Sequence, residues 1–257
     1  MLRAILFDLD DTLIDWSGFD SDWARLEREY LSGVVRYFAT RGHVIEDLDA
    51  YARGYRDRVM NAWTMARTTH RAPHIGHLIM ETALDFGVPA DVCDMADALK
   101  AYNWGVVPGT VVFPDVVPAL TTILAQGIKV GIVTNAPQPM SLRDAELTAH
   151  GLFDYFPICR ISAADFGMLK PHPDIFKAAL DLVGAAPDEA VFVGDDLDAD
   201  IVGAKRVGIR AVLRITPRTA DGLRTDVVPD ARIHNLSELL ALLDQWFAGW
   251  RHASNGV

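Results

Sequence analysis

Short apolar runs recur along the chain, and each of the clearest stops at a polar or glycine-bearing turn. Ala4-Ile5-Leu6-Phe7 runs into acids, Val130-Gly131-Ile132-Val133 into Thr134-Asn135, Ala190-Val191-Phe192-Val193 into Gly194-Asp195-Asp196, and Ala211-Val212-Leu213 toward Thr216-Pro217. Ile158-Cys159-Arg160-Ile161 is a weaker run of the same kind. Runs this short and apolar on both faces predict buried strands of a parallel sheet. Helical patterns lie between them. Residues 115–126 place Val116, Leu120, Ile123 and Leu124 on one face and stop at Gly127, a residue suited to a left-handed helix end. Residues 173–183 open on a proline and stop at Gly184. Residues 235–248 open on Asn-Leu-Ser-Glu, which resembles a capping box. The alternation predicts an α/β fold with a mostly parallel sheet.

The stretch from about residue 15 to 107 breaks this rhythm and holds no convincing strand. Trp23, Leu26, Tyr30, Val34 and Phe38 recur three or four apart and the run closes near Gly42. Further helical stretches cover about 47–67, 74–86, ending at Gly87, and 91–104. The reading is an insert of about four helices placed directly after the first strand, with Pro108-Gly109 at its exit. The expected organisation is a catalytic α/β core from residues 1–14 and 109–250, an α-helical domain from 15–108, and a frayed tail from 251–257.

Bulk properties narrow the class without naming a function. The chain has 257 residues, half of them hydrophobic, which suits a core domain carrying a smaller one. Its net charge of −11 and lack of a basic stripe argue against nucleic acid as a partner. The same charge requires local cations at any site that handles an anion. Cys93 and Cys159 form no CxxC pair and no disulfide framework. No apolar run approaches the ~18 residues of a membrane span, and residues 1–7 are too short for a secretory h-region. The expectation is a cytoplasmic protein with no membrane partner, monomeric or homodimeric.

Chemistry collects at predicted strand ends, where open parallel sheets bind ligands. Asp8, Asp10, Asp11 and Thr12 follow the first strand; Thr134 and Asn135 follow the second long apolar run; Asp195, Asp196, Asp198 and Asp200 follow the third; Lys170 precedes the 173–183 helix. Carboxylates from two strands brought to one edge repel unless neutralised. Oxygen-only ligands select a hard cation, with Mg²⁺ the usual choice where phosphate also coordinates. A carboxylate can act as a nucleophile toward phosphorus, and a second one two residues on in extended chain points the same way and can serve as general acid and base. A hydroxyl and an ammonium can hold the remaining phosphate oxygens.

The set Asp8-Leu9-Asp10-Asp11-Thr12, Thr134, Lys170 and Gly194-Asp195-Asp196 with Asp200 resembles, in order, the four motifs of the haloacid dehalogenase superfamily. The insert resembles that superfamily's C1-type helical cap, as in its phosphoglycolate phosphatase-like and N-acylneuraminate-9-phosphatase-like branch. The resemblance covers essentially the whole chain and implies a Rossmann-like three-layer α/β/α core with a helical-bundle cap. It implies Asp8 as nucleophile, Asp10 as general acid/base, Thr134 with Asn135 at the phosphoryl group, and Lys170 neutralising phosphate and orienting Asp8. It also implies Mg²⁺ held by Asp8, the backbone carbonyl of Asp10 and Asp195, with Asp196 and Asp200 in or near the metal shell. The implied function is a phosphatase acting on a small phosphorylated metabolite through an aspartyl phosphate.

Competing readings differ in single features. A dehalogenase of the superfamily lacks the second acid, here Asp10. A phosphonatase needs a cap lysine, and Lys100 is the only one between residues 15 and 107. A phosphomutase uses the same core residues. A two-component receiver is about half this length and has no such insert. A non-catalytic scaffold should have lost a motif residue, and none is missing. Within the insert, His74 and His77 lack the further ligands a zinc site needs, Asp198 reads as a helix-start acid, and His172 as a loop residue. The arginines at 53, 56, 58, 67 and 71 are expected to include one facing substrate.

Overall fold

The computed structural model describes residues 1–20, 22–218 and 226–251. Six strands form one parallel sheet: β1 (Ala4–Phe7), β4 (Lys129–Thr134), β5 (Cys159–Ser162), β6 (Ala190–Gly194), β7 (Arg210–Arg214) and β8 (Ala231–Ile233), in the order β5-β4-β1-β6-β7-β8. Alternation within β1 decides its two faces. Ile5 and Phe7 pack with Val130, Ile132, Val191, Val193 and Val212 beneath α5 (Val116–Ala125) and α10 (Leu236–Trp246). Ala4 and Leu6 pack with Phe192, Ala211 and Leu213 on the opposite face, beneath α8 (Pro173–Val183). A strand covered on both faces has no polar position to spare, hence its unbroken apolar sequence. The fold is a three-layer α/β/α Rossmann-like sheet.

Where a cap signal marks a helix end, the sequence expectation and the structure agree closely. Helix α8 occupies the expected span, with Gly184 at its C-cap in the left-handed conformation. Asn235 Oδ1 caps α10 by accepting from Glu238 N, as the Asn-Leu-Ser-Glu start suggested, while Glu238 Oε2 accepts from His234 N, one residue before the N-cap, rather than from Asn235 N as a full capping box would have it. The weak run at 158–161 is the edge strand β5. The four-helix insert is present as α1 (Trp23–Thr40), α2 (Leu48–Thr69), α3 (Ile75–Asp85) and α4 (Met95–Tyr102), packed around its own core of Leu31, Val34, Phe38, Tyr51, Tyr55 and Ile79. Of the expected frayed tail at 251–257, Arg251 pairs with Asp244 and the remainder lies outside the described residues.

Two features escaped the hydrophobic pattern. At the stem of the insert, β2 (Ile14–Asp15) and β3 (Val111–Val112) form an antiparallel ribbon too short to show a period. Gly18 and Gly109 meet just beyond it: a Cβ on Gly18 would stand 2.5 Å from the Gly109 carbonyl oxygen, so the two linkers approach at backbone distance. The second feature is α6 (Met140–Ala149), which follows β4. Its buried positions are Leu142, Arg143, Glu146 and Leu147. Two of those four are charged, so the helix carries no apolar stripe to read. The short helices α7 (Ala163–Phe166) and α9 (Gly203–Arg206) complete the chain.

The insert rests against the sheet's carboxyl edge through backbone hydrogen bonds as well as side chains. Leu169 N donates to His70 O at 2.8 Å, Ala72 N to Gly167 O at 3.1 Å, and Ile75 N to Pro137 O at 2.9 Å. Ala66 and Trp63 of α2 pack into the core beside α8. The turn between α2 and α3 is thereby fastened to the segment that carries Lys170.

Candidate active site

Register brings the expected residues together. Phe7 pairs with Ile132 on one side and Val193 on the other, so β1, β4 and β6 end nearly level. The chain leaves β1 toward β4 and later returns to β6 on its far side, which makes the end of β1 the sheet's switch point. A cavity of about 230 Å³ opens there, lined by Asp8, Asp10, Asp11, Thr134, Asn135, Lys170, Asp195, Asp196, Ala199 and Asp200.

Asp8 and Lys170 form a buried pair. Lys170 Nζ donates to Asp8 Oδ1 at 2.6 Å and forms an ion pair with Asp200 Oδ1 at 2.7 Å. Burial works to lower the lysine's pKa, but the facing Asp200 and Asp8 carboxylates outweigh it and raise it above the ordinary range. Burial pushes the Asp8 carboxyl up to about 7, with Lys170 opposing and Asp200 and Asp10 adding to the rise. Asp195 is pushed up to about 9 by burial first and then by Asp8, Asp200 and Asp11. One ammonium therefore faces more carboxylate charge than it can balance.

That excess is a cation's opportunity. Asp8, Asp195 and Asp200 each offer a carboxylate oxygen, all within 4.8 Å of one another. The donors are all oxygen, which suits a hard divalent ion. Thr12 Oγ1 donates to Asp195 Oδ1 at 3.4 Å. Asp200 is folded back by a π-type turn, Leu197–Val202, so that its Oδ2 accepts from Asp196 N at 3.1 Å. Gly194 makes room for it, since a Cβ there would lie 2.2 Å from Asp200 Oδ2.

Several expected residues take different posts. Asp196 lines the cavity, but its Oδ1 caps the following turn by accepting from Asp198 N and Ala199 N, both at 2.8 Å; it stands outside the three-carboxylate group. The side chain of Asp10 is also outside that group, because Arg143 and Trp16 hold it from elsewhere. Asn135 sits at the cavity wall beside Thr134, yet both ends of its amide engage Lys170: Oδ1 accepts from Lys170 N at 2.7 Å and Nδ2 donates to Lys170 O at 3.0 Å. Its side chain thereby positions the lysine from the cavity wall. Asp11 adopts a left-handed conformation, φ 55°, which an aspartate tolerates, and its Oδ1 accepts from Trp16 N.

The insert behaves less simply than its arginines suggested. None of the five lines the cavity. Arg56 pairs with Glu27, and Arg58 pairs with Asp85. His74 caps α3 by accepting from Gly76 N and stacks on His77 at 4.5 Å; the pair joins no ligand cluster among the described residues. His172 likewise caps α8.

The residues missed by sequence reasoning surround Asp10. Arg143 Nη2 donates to Asp10 Oδ1 at 2.6 Å, and Trp16 Nε1 donates to the same oxygen at 2.9 Å. Arg143 Nη1 pairs with Glu146 Oε2 at 3.0 Å, which also accepts from Trp104 Nε1 at 2.8 Å. Arg143 and Glu146 are fully buried. Their i, i+3 spacing was visible, but it ordinarily marks a solvated helix pair. Arg214 is a second buried guanidinium, donating to Thr12 O and Asp115 Oδ1 and so fixing the loop that follows Asp8.

Fold, strand-end motifs and site place this chain in a known class: it belongs to the haloacid dehalogenase-like hydrolases, whose family model matches residues 2–208. Among its relatives, the glyceraldehyde 3-phosphate phosphatase of Methanopyrus kandleri is 30% identical over 243 residues, 93% of this chain and 96% of that protein. The ribulose-1,5-bisphosphate 5-phosphatase of Halopiger xanaduensis is 30% identical over 263 residues, covering 95% and 100%. A solved 2-haloacid dehalogenase from Pseudomonas syringae aligns over 96% of this chain and 100% of its own, with a TM-score of 0.64 and 29% identity.

Proposed function

We propose that this hydrolase is a Mg²⁺-dependent phosphatase that cleaves a small phosphorylated metabolite through an aspartyl phosphate on Asp8. The observation that carries the reading is the placement of two carboxylates, Asp8 and Asp10, in one cavity with Lys170 bonded to the first. Asp8 attacks phosphorus as the bond to the ester oxygen breaks, and Asp10 gives that oxygen its proton. Asp10 then takes a proton from the water that attacks the phosphoryl group on Asp8, which returns the Asp8 carboxylate and frees inorganic phosphate. Lys170 orients Asp8 and offsets phosphate charge, and the Thr134 hydroxyl lies at the cavity wall to receive a phosphate oxygen. Asp8, Asp195 and Asp200, with the Asp10 carbonyl, would hold Mg²⁺, which supplies positive charge against the transferring phosphoryl group. The helical insert acts as the cap that excludes water and selects the substrate.

Asp10 favours this chemistry over dehalogenation. A departing halide needs no proton, whereas an ester oxygen does, so a general acid beside the nucleophile has a leaving group to serve only in the phosphatase reaction. Both phosphatase relatives act on small phosphorylated metabolites by name, which supports the substrate class. The test is phosphate release across a panel of sugar phosphates, phosphorylated hydroxyacids and nucleotide monophosphates, with Mg²⁺ and without a sugar bisphosphate. Release from at least one, lost in EDTA and restored by Mg²⁺, is expected; no release, with conversion to an isomer once a sugar bisphosphate is supplied, would make the protein a phosphomutase.

A further inference from the structure

Asp10 has two carboxylate oxygens, and the structure treats them differently. Arg143 and Trp16 both donate to Oδ1. Among the described residues no hydrogen bond engages Oδ2, while the side chain is 34% exposed and lines the cavity. Resting on the phosphatase reading, we propose that Arg143, backed by Glu146, is a positioning residue that locks Asp10 Oδ1 and so presents Oδ2 as the oxygen that carries the proton between leaving group and water.

The chemistry of the residues fits this task. A guanidinium is a planar fork, and Arg143 uses one end on Asp10 and the other on Glu146. A lysine would offer one nitrogen in place of the two separated ends of the fork. Burial of the pair fixes the fork: Arg143 is 1% exposed and Glu146 fully buried. Glu146 is itself held by Trp104 Nε1. The two indoles come from opposite ends of the insert. Trp16 follows β2 on the way into the four helices, and Trp104 follows α4 on the way out. Orientation of the proton carrier is thereby tied to both linkers of the cap, so a cap that shifts on its stem carries two of the four contacts with it. Proton transfer tolerates little misplacement, and an error near 1 Å can cost on the order of 10²-fold in rate.

The test separates the two chemical steps. With p-nitrophenyl phosphate the leaving phenolate needs no proton, so formation of the phosphorylated Asp8 is seen as a burst of p-nitrophenol, whereas its hydrolysis still needs Asp10. With a primary alkyl phosphate both steps need it. For Arg143→Gln and for Glu146→Gln, the burst rate is expected within about threefold of wild type. Steady-state turnover and single-turnover cleavage of the alkyl ester should fall on the order of 10²-fold, with KM little changed. Arg143→Lys should recover only part of the loss. Trp16→Phe, which keeps an aromatic side chain but removes the donor, reads out the same split by several-fold should the buried variants fail to fold. Equal losses in burst and steady state, or no loss in either, would overturn the assignment. Wild type and Asp10→Asn run alongside: no turnover by wild type sinks the phosphatase reading itself, whereas the split in Asp10→Asn without it in the Arg143 and Trp16 variants sinks only this inference.

Discussion

The ammonium of Lys170 lies 2.6 Å from Oδ1 of Asp8, although 162 positions separate the two in the chain. The same ammonium reaches Asp200, so one buried cation stands between two buried carboxylates. Removing the cation of such an arrangement leaves both carboxylates uncompensated, at a cost of about 3–5 kcal/mol. Lys170→Met should therefore abolish turnover and lower the melting temperature of the metal-free protein. The drop should be larger at about pH 8 than at about pH 5, where Asp8, with its pKa near 7, takes up a proton and relieves the repulsion. Calorimetry at the two pH values decides it; equal drops would argue that the lysine does not neutralise Asp8.

The raised carboxyls make the metal-free protein sensitive to base. Asp8 and Asp195 titrate near 7 and 9 in the fold against an ordinary value of 3.8. Between those limits the folded state holds more protons than the unfolded chain, so stability falls as pH rises from about 4 through 9. A divalent cation bound by the ionised carboxylates reverses the trend. Added Mg²⁺ should raise the melting temperature more at about pH 8.5 than at about pH 5.5. A shift independent of pH would remove these carboxylates from the metal site.

Asp8→Asn changes one atom of the nucleophile. Phosphate release should fall below detection while circular dichroism stays native. Because the substitution also deletes a buried negative charge beside Asp200 and Asp10, the melting temperature at neutral pH should hold or rise. Retained turnover would move the nucleophile elsewhere.

Gly194→Ala tests a close approach rather than a side chain. Its new Cβ would sit 2.2 Å from Asp200 Oδ2 and 2.4 Å from its Cγ. Asp200 must then leave its bond to Asp196 N and its contact with Lys170. Apparent Mg²⁺ affinity is expected to weaken by about 10–100-fold, as when a group that orients a ligand is lost. Titration of activity against free Mg²⁺ measures it, and an unchanged half-saturation would show that Asp200 does not support the metal.

Much of this molecule was legible one segment at a time. Ala4–Phe7 declares itself because a strand covered on both faces admits no polar side chain, and α8 because Pro173 and Gly184 fix its ends through backbone geometry alone. The four inserted helices could be counted from apolar spacing, with α3 one residue shorter at each end and α4 starting four residues later than expected. The family motifs named Asp8, Asp10, Thr134, Lys170, Asp195 and Asp200, and all of them line one cavity. Asn135 was legible as a site residue, but its engagement by the backbone of Lys170 was not, since that pairing joins two loops.

The local chemistry of the chain thus determined the strands, the capped helices and which residue types gather at the sheet's edge. Only the tertiary structure decided how α6 folds inward with Arg143 and Glu146 on its buried face, because a buried charge is tolerated only when distant partners meet it. Asp10, Trp16 and Trp104 are those partners, lying 133 positions from Arg143 in the first case and 42 from Glu146 in the last. No periodicity within ten residues of helix can announce a contact whose other half lies in another part of the chain.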